Sequence, residues 1–201
     1  MRTRKFYAGA AVMAIVALVA GPVVWTMMRD TPDCGGGVTG GDVGGPFDLV
    51  SETGATVTDA EVIDRPALVY FGYTFCPDIC PFDAARNAEA VDLLAEAGHD
   101  VKPVFITVDP ERDTPEVLAE FTDYMHPEMV GLTGSAEQIA EAARAYRVYH
   151  AIPEQEDEYY LVDHTTFTYL MMPGKGFVDF FSREDTAEEM AARTACYLDS
   201  A

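Results

Sequence analysis

Ala67-Leu68-Val69-Tyr70-Phe71-Gly72-Tyr73-Thr74-Phe75-Cys76-Pro77-Asp78-Ile79-Cys80-Pro81 is the stretch that decides the fold. Its first seven residues are mostly apolar and rich in aromatics, and they run into a turn that contains proline. Beyond Pro81, Ala84, Ala88, Val91 and Ala95 recur at helical spacing. The pattern predicts a fully buried strand, a loop and a helix, with two cysteines at the helix N-terminus. The partial positive charge of a helix start favours thiolate over thiol, and the thiolate is the form that attacks disulfides and binds metals.

Working outward, residues 47–58 alternate around Gly54 and predict a hairpin ahead of the central strand. Residues 101–108 predict a second buried strand. Thr114 and Pro115 then open a helix as N-cap and first helical residue. A short strand over 129–132 follows, and Ser135 and Gln138 have the capping-box spacing for a helix to about Tyr146. After the acidic run Glu154-Gln155-Glu156-Asp157-Glu158 the pattern predicts one long strand over 159–172, a turn at Pro173-Gly174-Lys175-Gly176, a strand over 177–181 and a last helix over 186–198. Strands alternating with helices and closing on a hairpin plus helix give an α/β thioredoxin-like fold, a central mixed sheet flanked by helices. The Cys76 loop then falls at the carboxyl end of a central strand, where such sheets place ligands.

The 201 residues carry a formal net charge of −21, which excludes nucleic acid as a partner, since phosphate binding needs clustered Lys and Arg. Residues 1–5 hold Arg2, Arg4 and Lys5, and residues 6–28 hold no charge at all. That run is long enough to cross a bilayer, and its basic flank predicts a single-pass inner-membrane anchor with the rest of the chain in the periplasm. Residues 29–45 hold seven glycines and are expected to act as a flexible tether; residues 46–201 form one domain.

Four cysteines, Cys34, Cys76, Cys80 and Cys196, are too few and too scattered for a disulfide scaffold. Cys34 can bridge a second chain, bridge Cys196 or stay free, and Cys196 otherwise reads as a small, partly buried residue of the last helix. Cys76 and Cys80 are one helical turn apart, so both sulfurs can face one point as a redox pair or as two metal ligands. His164, opening the strand that passes under the loop, adds an imidazole where thioredoxins carry a cis-proline. Two soft sulfurs and one nitrogen suit copper, or zinc, over hard cations. A buried histidine bonded to backbone is the plainer alternative.

Among the neighbours, Asp78 reads as a turn residue, and Asp163 as pointing away from His164 on a strand. Asp109 and Asp113 read as turn and capping residues, Met171 and Met172 as core, and His99, His126 and His150 as solvated or capping. A peroxidase site is disfavoured because Thr74 precedes Cys76 by two positions and not three.

Five stretches, Tyr70-Phe71-Gly72-Tyr73-Thr74-Phe75-Cys76-Pro77-Asp78-Ile79-Cys80-Pro81, Asp109-Pro110-Glu111-Arg112-Asp113-Thr114-Pro115, Gly131-Leu132-Thr133-Gly134, Ala145-Tyr146-Arg147-Val148-Tyr149 and Tyr160-Leu161-Val162-Asp163-His164-Thr165, occur in this order. Together they resemble the Sco/SenC/PrrC family over nearly all of residues 47–198. The resemblance implies a membrane-anchored copper metallochaperone with Cys76, Cys80 and His164 as ligands. Its cargo would be delivered to the binuclear copper site of cytochrome c oxidase subunit II, with other periplasmic copper carriers or thioredoxin-like reductants as further partners. Phe75 departs from the histidine of many mitochondrial members, at a position outside the ligand set. A periplasmic thiol-disulfide oxidoreductase or a redox or copper sensor using the same cysteine pair is the alternative from a different class.

Overall fold

The computed structural model describes residues 34–35, 42–152 and 160–200. The expected anchor over 6–28 and the acidic run over 154–158 lie outside the described residues. Among the described residues no helix is long and apolar enough to cross a membrane.

The chain folds as β1 (Asp48–Ser51), β2 (Thr56–Thr58), a short α1 (Asp59–Val62), β3 (Ala67–Gly72), α2 (Ile79–Glu96), β4 (Lys102–Thr107), α3 (Pro115–Met125), β5 (Val130–Thr133) and α4 (Ala136–Ala145). It continues through β6 (His150–Ala151), β7 (Asp163–His164), β8 (Thr168–Met172), β9 (Gly176–Phe181) and α5 (Ala187–Asp199). Seven strands form one mixed sheet in the order β2-β1-β5-β4-β3-β8-β9, and β6 and β7 form a separate pair. β3 is the pivot: it runs parallel to β4 and antiparallel to β8, and all six of its residues are buried. A strand covered on both faces must be apolar along its whole length, which is what residues 67–72 supply.

One apolar cluster includes Leu49, Val69, Phe71, Leu132, Ile139 and Tyr146, and a second joins Leu68 to Leu94, Leu170, Phe181 and Met190. Each large side chain so buried contributes about 1.5–3 kcal/mol. Met171 and Met172 are buried in these clusters, as expected. The predicted caps are in place: Thr114 and Ser135 accept from Val117 N and Gln138 N, and Pro115 opens α3.

Two expectations are corrected. The long strand over 159–172 is broken. β7 pairs with β6, with His150 opposite His164, and the chain leaves both sheets before β8 begins at Thr168. Thr165 N donates to Tyr149 O in register with the β6-β7 pair, so residues 163–165 form an arm held by the segment after α4. The tether, second, is not a free linker throughout. Cys34 is bonded to Cys196 of α5, so Cys196 is a half-cystine and not merely a small packed residue. Gly44 N donates to Ala145 O, and Arg147 Nε donates to Asp42 O. Gly44 has φ +81°, a left-handed conformation that favours glycine, so its residue type suits the docked backbone.

The bridge spans a sequence separation of 162 residues, and closing so large a loop removes much freedom from the unfolded chain. Cys196→Ser is expected to lower stability by about 3–5 kcal/mol. Cys34→Ser should cost about as much and the double variant no more than either, as read by equilibrium denaturant unfolding of the full chain.

Candidate copper and thiol site

β3 ends at Gly72 and the chain turns through residues 73–78 into α2. The helix begins at Ile79, earlier than the sequence pattern suggests, which puts Cys80 inside its first turn. Asp78 sits at the N-cap without using its side chain as a cap. A sulfur takes that place: Cys80 N donates to Cys76 Sγ at 3.3 Å. One of the helix's orphan N–H groups is thereby spent on the outer cysteine.

His164 reaches the same place on the arm formed by β7. Its Nε2 lies 3.3 Å from Cys80 Sγ, and its Nδ1 lies 3.0 Å from Thr165 O. A carbonyl can only accept, so Nδ1 carries the proton and Nε2 presents its lone pair to the sulfur. Tyr73 and Tyr70 hold the imidazole in edge-to-face contact, with ring centroids 5.8 and 6.3 Å away. The imidazole nitrogen therefore touches one of the two cysteines, Cys80. Cys76 and His164 line one groove of about 360 Å³ together with Pro77, Asp78, Ile79, Leu161 and Asp163. Both cysteines are free thiols. Among the described residues no three His, Cys, Asp or Glu side chains are already closed around a metal position. The donor set is open, with Cys80 and His164 in contact and Cys76 one turn away.

The two thiols are electrostatically unlike. Burial opposes the Cys76 thiolate, but the N–H groups of Asp78 and Cys80, the Cys80 thiol and the N–H of Ile79 outweigh it and hold its pKa below the ordinary thiol value. Burial instead drives the Cys80 pKa far up, despite the N–H of Tyr73, and the neighbouring Cys76 adds to the rise. Burial also keeps the His164 pKa low, so the ring is neutral and free to act as a donor. Two sulfurs and a neutral imidazole nitrogen fit a thiophilic ion such as copper.

The aspartates set aside as turn residues do more than that. Asp113 is fully buried and accepts from Thr74 N at 3.0 Å, from Thr74 Oγ1 at 2.5 Å and from Thr107 Oγ1 at 2.5 Å. It ties the cysteine loop to the end of β4, while Thr114 alone caps α3. Asp109 accepts from Tyr160 Oη at 2.8 Å and from Arg112 Nε. Asp83, one turn past Cys80, accepts from Tyr70 Oη at 3.0 Å beneath the site. The only sequence signal of Asp109 and Asp113 was position: carboxylates shortly after a strand whose neighbour carries the cysteines. Asp163 is exposed, as its place in a strand implied. His126 and His99 lie near Asp92 and Asp199 away from the site.

A thioredoxin-like domain that presents two free cysteines and an imidazole at a strand-helix junction belongs to the class of thiol-and-histidine site proteins. Among the described residues no peptide bond is cis. The profile of the SCO1/SenC family matches residues 37–199, and the chain belongs to that family. It is 54% identical to protein SenC of Rhodobacter capsulatus over 202 residues, covering 98% of this chain and 91% of that one. It is 42% identical to the mitochondrial SCO1 homolog of Homo sapiens over 159 residues, 78% of this chain but only 53% of the human one. The chain thus spans about half the length of that relative. Arabidopsis thaliana ScoI, solved with copper bound, superposes with a TM-score of 0.76 at 42% identity, over 79% of this chain and 99% of that one.

Two outcomes are expected of the metal-free protein. Asp113→Ala should cost about 2–4 kcal/mol, because three donors, the Thr107 hydroxyl fully buried and both Thr74 donors partly so, lose their acceptor, and should speed alkylation of Cys76 by freeing the loop. A thiol whose folded pKa is raised stabilises the fold below its unfolded value and loses that contribution as pH rises. Stability should therefore fall above about pH 8.5, and Cys80→Ala should flatten the slope. Urea unfolding across that interval checks it.

Proposed function

We propose that this protein is a membrane-anchored periplasmic copper metallochaperone. It carries copper as cargo on Cys76, Cys80 and His164 and delivers it to the binuclear copper site of cytochrome c oxidase subunit II. The carrying observation is the 3.3 Å contact between Cys80 Sγ and His164 Nε2 beside Cys76, in a chain of the SCO1/SenC family with a relative solved holding copper. Residues 6–28 supply the anchor in this reading, with the basic residues before them on the cytoplasmic side.

The chemistry suits delivery. Three protein ligands leave one side of the ion open, so an acceptor's cysteines can attach before the donor's release, and no free ion forms. The raised pKa of Cys80 makes loading a proton-releasing step, and its return to the thiol favours release.

A second reading rests on the difference between the thiols. Cys76 is the outer, more acidic sulfur and Cys80 is fully buried, the arrangement of an attacking and a resolving cysteine. A thiol-disulfide oxidoreductase would form a mixed disulfide at Cys76, which Cys80 then displaces.

Copper titration of the full chain in detergent micelles, with Cys76→Ala, Cys80→Ala and His164→Ala in parallel, separates the two. Each variant should bind copper at least about tenfold more weakly than the parent, and the parent alone should restore copper loading of the oxidase in a deletion strain. If His164→Ala binds as tightly as the parent, the three-ligand site is wrong and the thiol reading takes its place.

A further inference from the structure

Arg112 joins three segments that have no covalent reason to stay together. Its Nε donates to Asp109, and its Nη1 donates to Tyr160 O at 3.0 Å. Its guanidinium carbon lies 3.5 Å from the centroid of the Tyr160 ring, 4.9 Å from that of Phe75 and 5.7 Å from that of Tyr73. Tyr160 closes the circuit by donating its hydroxyl to Asp109 at 2.8 Å. Phe75 and Tyr73 belong to the cysteine loop, Asp109 to the turn after β4, and Tyr160 to the segment that leads into the arm of His164.

We propose that Arg112 is a positioning residue for the copper site, the clamp that fixes the His164 arm against the cysteine loop. It reaches His164 by two routes. One is along the chain, since Tyr160 lies four residues before the histidine and is held through both its carbonyl and its ring. The other is through space, since the Tyr73 ring that faces the guanidinium also packs edge-on against the imidazole. The arm needs such a fixture, because β7 is two residues long and pairs only with β6. A planar fork can bond Asp109 and a carbonyl in its plane while offering its faces to aromatic rings. A lysine ammonium has the charge without that geometry.

The inference rests on the copper reading above, but the clamp itself can be read without copper. Arg193 supplies a matched control. It bonds Asp179 at 2.6 Å, Asp185 at 2.8 Å and Phe180 O at 3.1 Å, with its guanidinium 4.6 Å from the Phe181 ring centroid. It is a clamp of the same kind, built on α5 and β9 and not on the segments that carry the donors.

The experiment compares full-length parent, Arg112→Lys, Arg193→Lys and Tyr160→Phe in detergent micelles. Three properties are measured: thermal midpoint, the ring-proton NMR signal of His164 in the metal-free protein, and the binding and thiolate-to-copper absorption of Cu(II). Both lysine variants should lower the midpoint. Only Arg112→Lys should shift or broaden the His164 signal, weaken Cu(II) binding by about tenfold or more and change the absorption band. Tyr160→Phe keeps the ring but loses the bond to Asp109, and should show the same change in smaller degree. If Arg112→Lys leaves the His164 signal as in the parent, or if Arg193→Lys moves it equally, the clamp is overturned. If the parent binds no copper while the His164 signal still responds to Arg112 alone, the copper reading fails and the clamp stands.

Discussion

The bonds that Thr74 gives to the buried carboxylate of Asp113 are the constraint on which the site depends. A loop that presents two reactive sulfurs cannot be held by those sulfurs, because they must stay available. Here the loop is moored from the side, through a threonine two residues before Cys76, to the end of the neighbouring parallel strand. Burying a carboxylate is costly unless its lone pairs are taken, and two hydroxyls and an amide take them. The register of β3 against β4, with Gly72 beside Thr107, brings mooring and loop to the same height.

With the loop fixed, its chemistry follows from who donates to which sulfur. The helix start gives its free N–H groups to Cys76 and leaves Cys80 deeper, where burial outweighs what Tyr73 and Tyr70 donate, so the paired cysteines become unlike although only three residues separate them. The neutral imidazole stands against the deeper thiol, Cys80, and not against Cys76. A proton leaving Cys80 therefore departs from the sulfur that holds it hardest, beside the lone pair best placed to share an incoming soft ion.

Most of the frame was legible in the sequence because it is written in local signals. Buried strands show as unbroken apolar runs, and the helix starts at Thr114 and Ser135 show as capping residues at fixed offsets. The cysteine pair and His164 stood out by residue type. The mooring by Asp113 and the clamp by Arg112 did not, because a carboxylate or guanidinium after a strand has an ordinary life in turns. Only the fold decides whether it turns inward. The arm bearing His164 was misread as part of a long strand for a related reason: its residues are apolar enough for a strand, and period alone does not show where a chain leaves its sheet. The bridge from Cys34 to Cys196 stood in the sequence only as one of three alternatives, since a glycine-rich stretch advertises freedom and the partner lies 162 residues away.

That bond also divides the fastenings of the domain between the two ends of β3. Cys34 shares a buried cluster with Leu68, Val101, Met172 and Tyr197 near the end of the sheet where β3 begins, whereas the cysteine loop follows the end where β3 stops. The covalent closure therefore holds α5, and the cysteine loop is left to the hydrogen bonds that Thr74 gives to Asp113. A reductant can open the first fastening and has no purchase on the second.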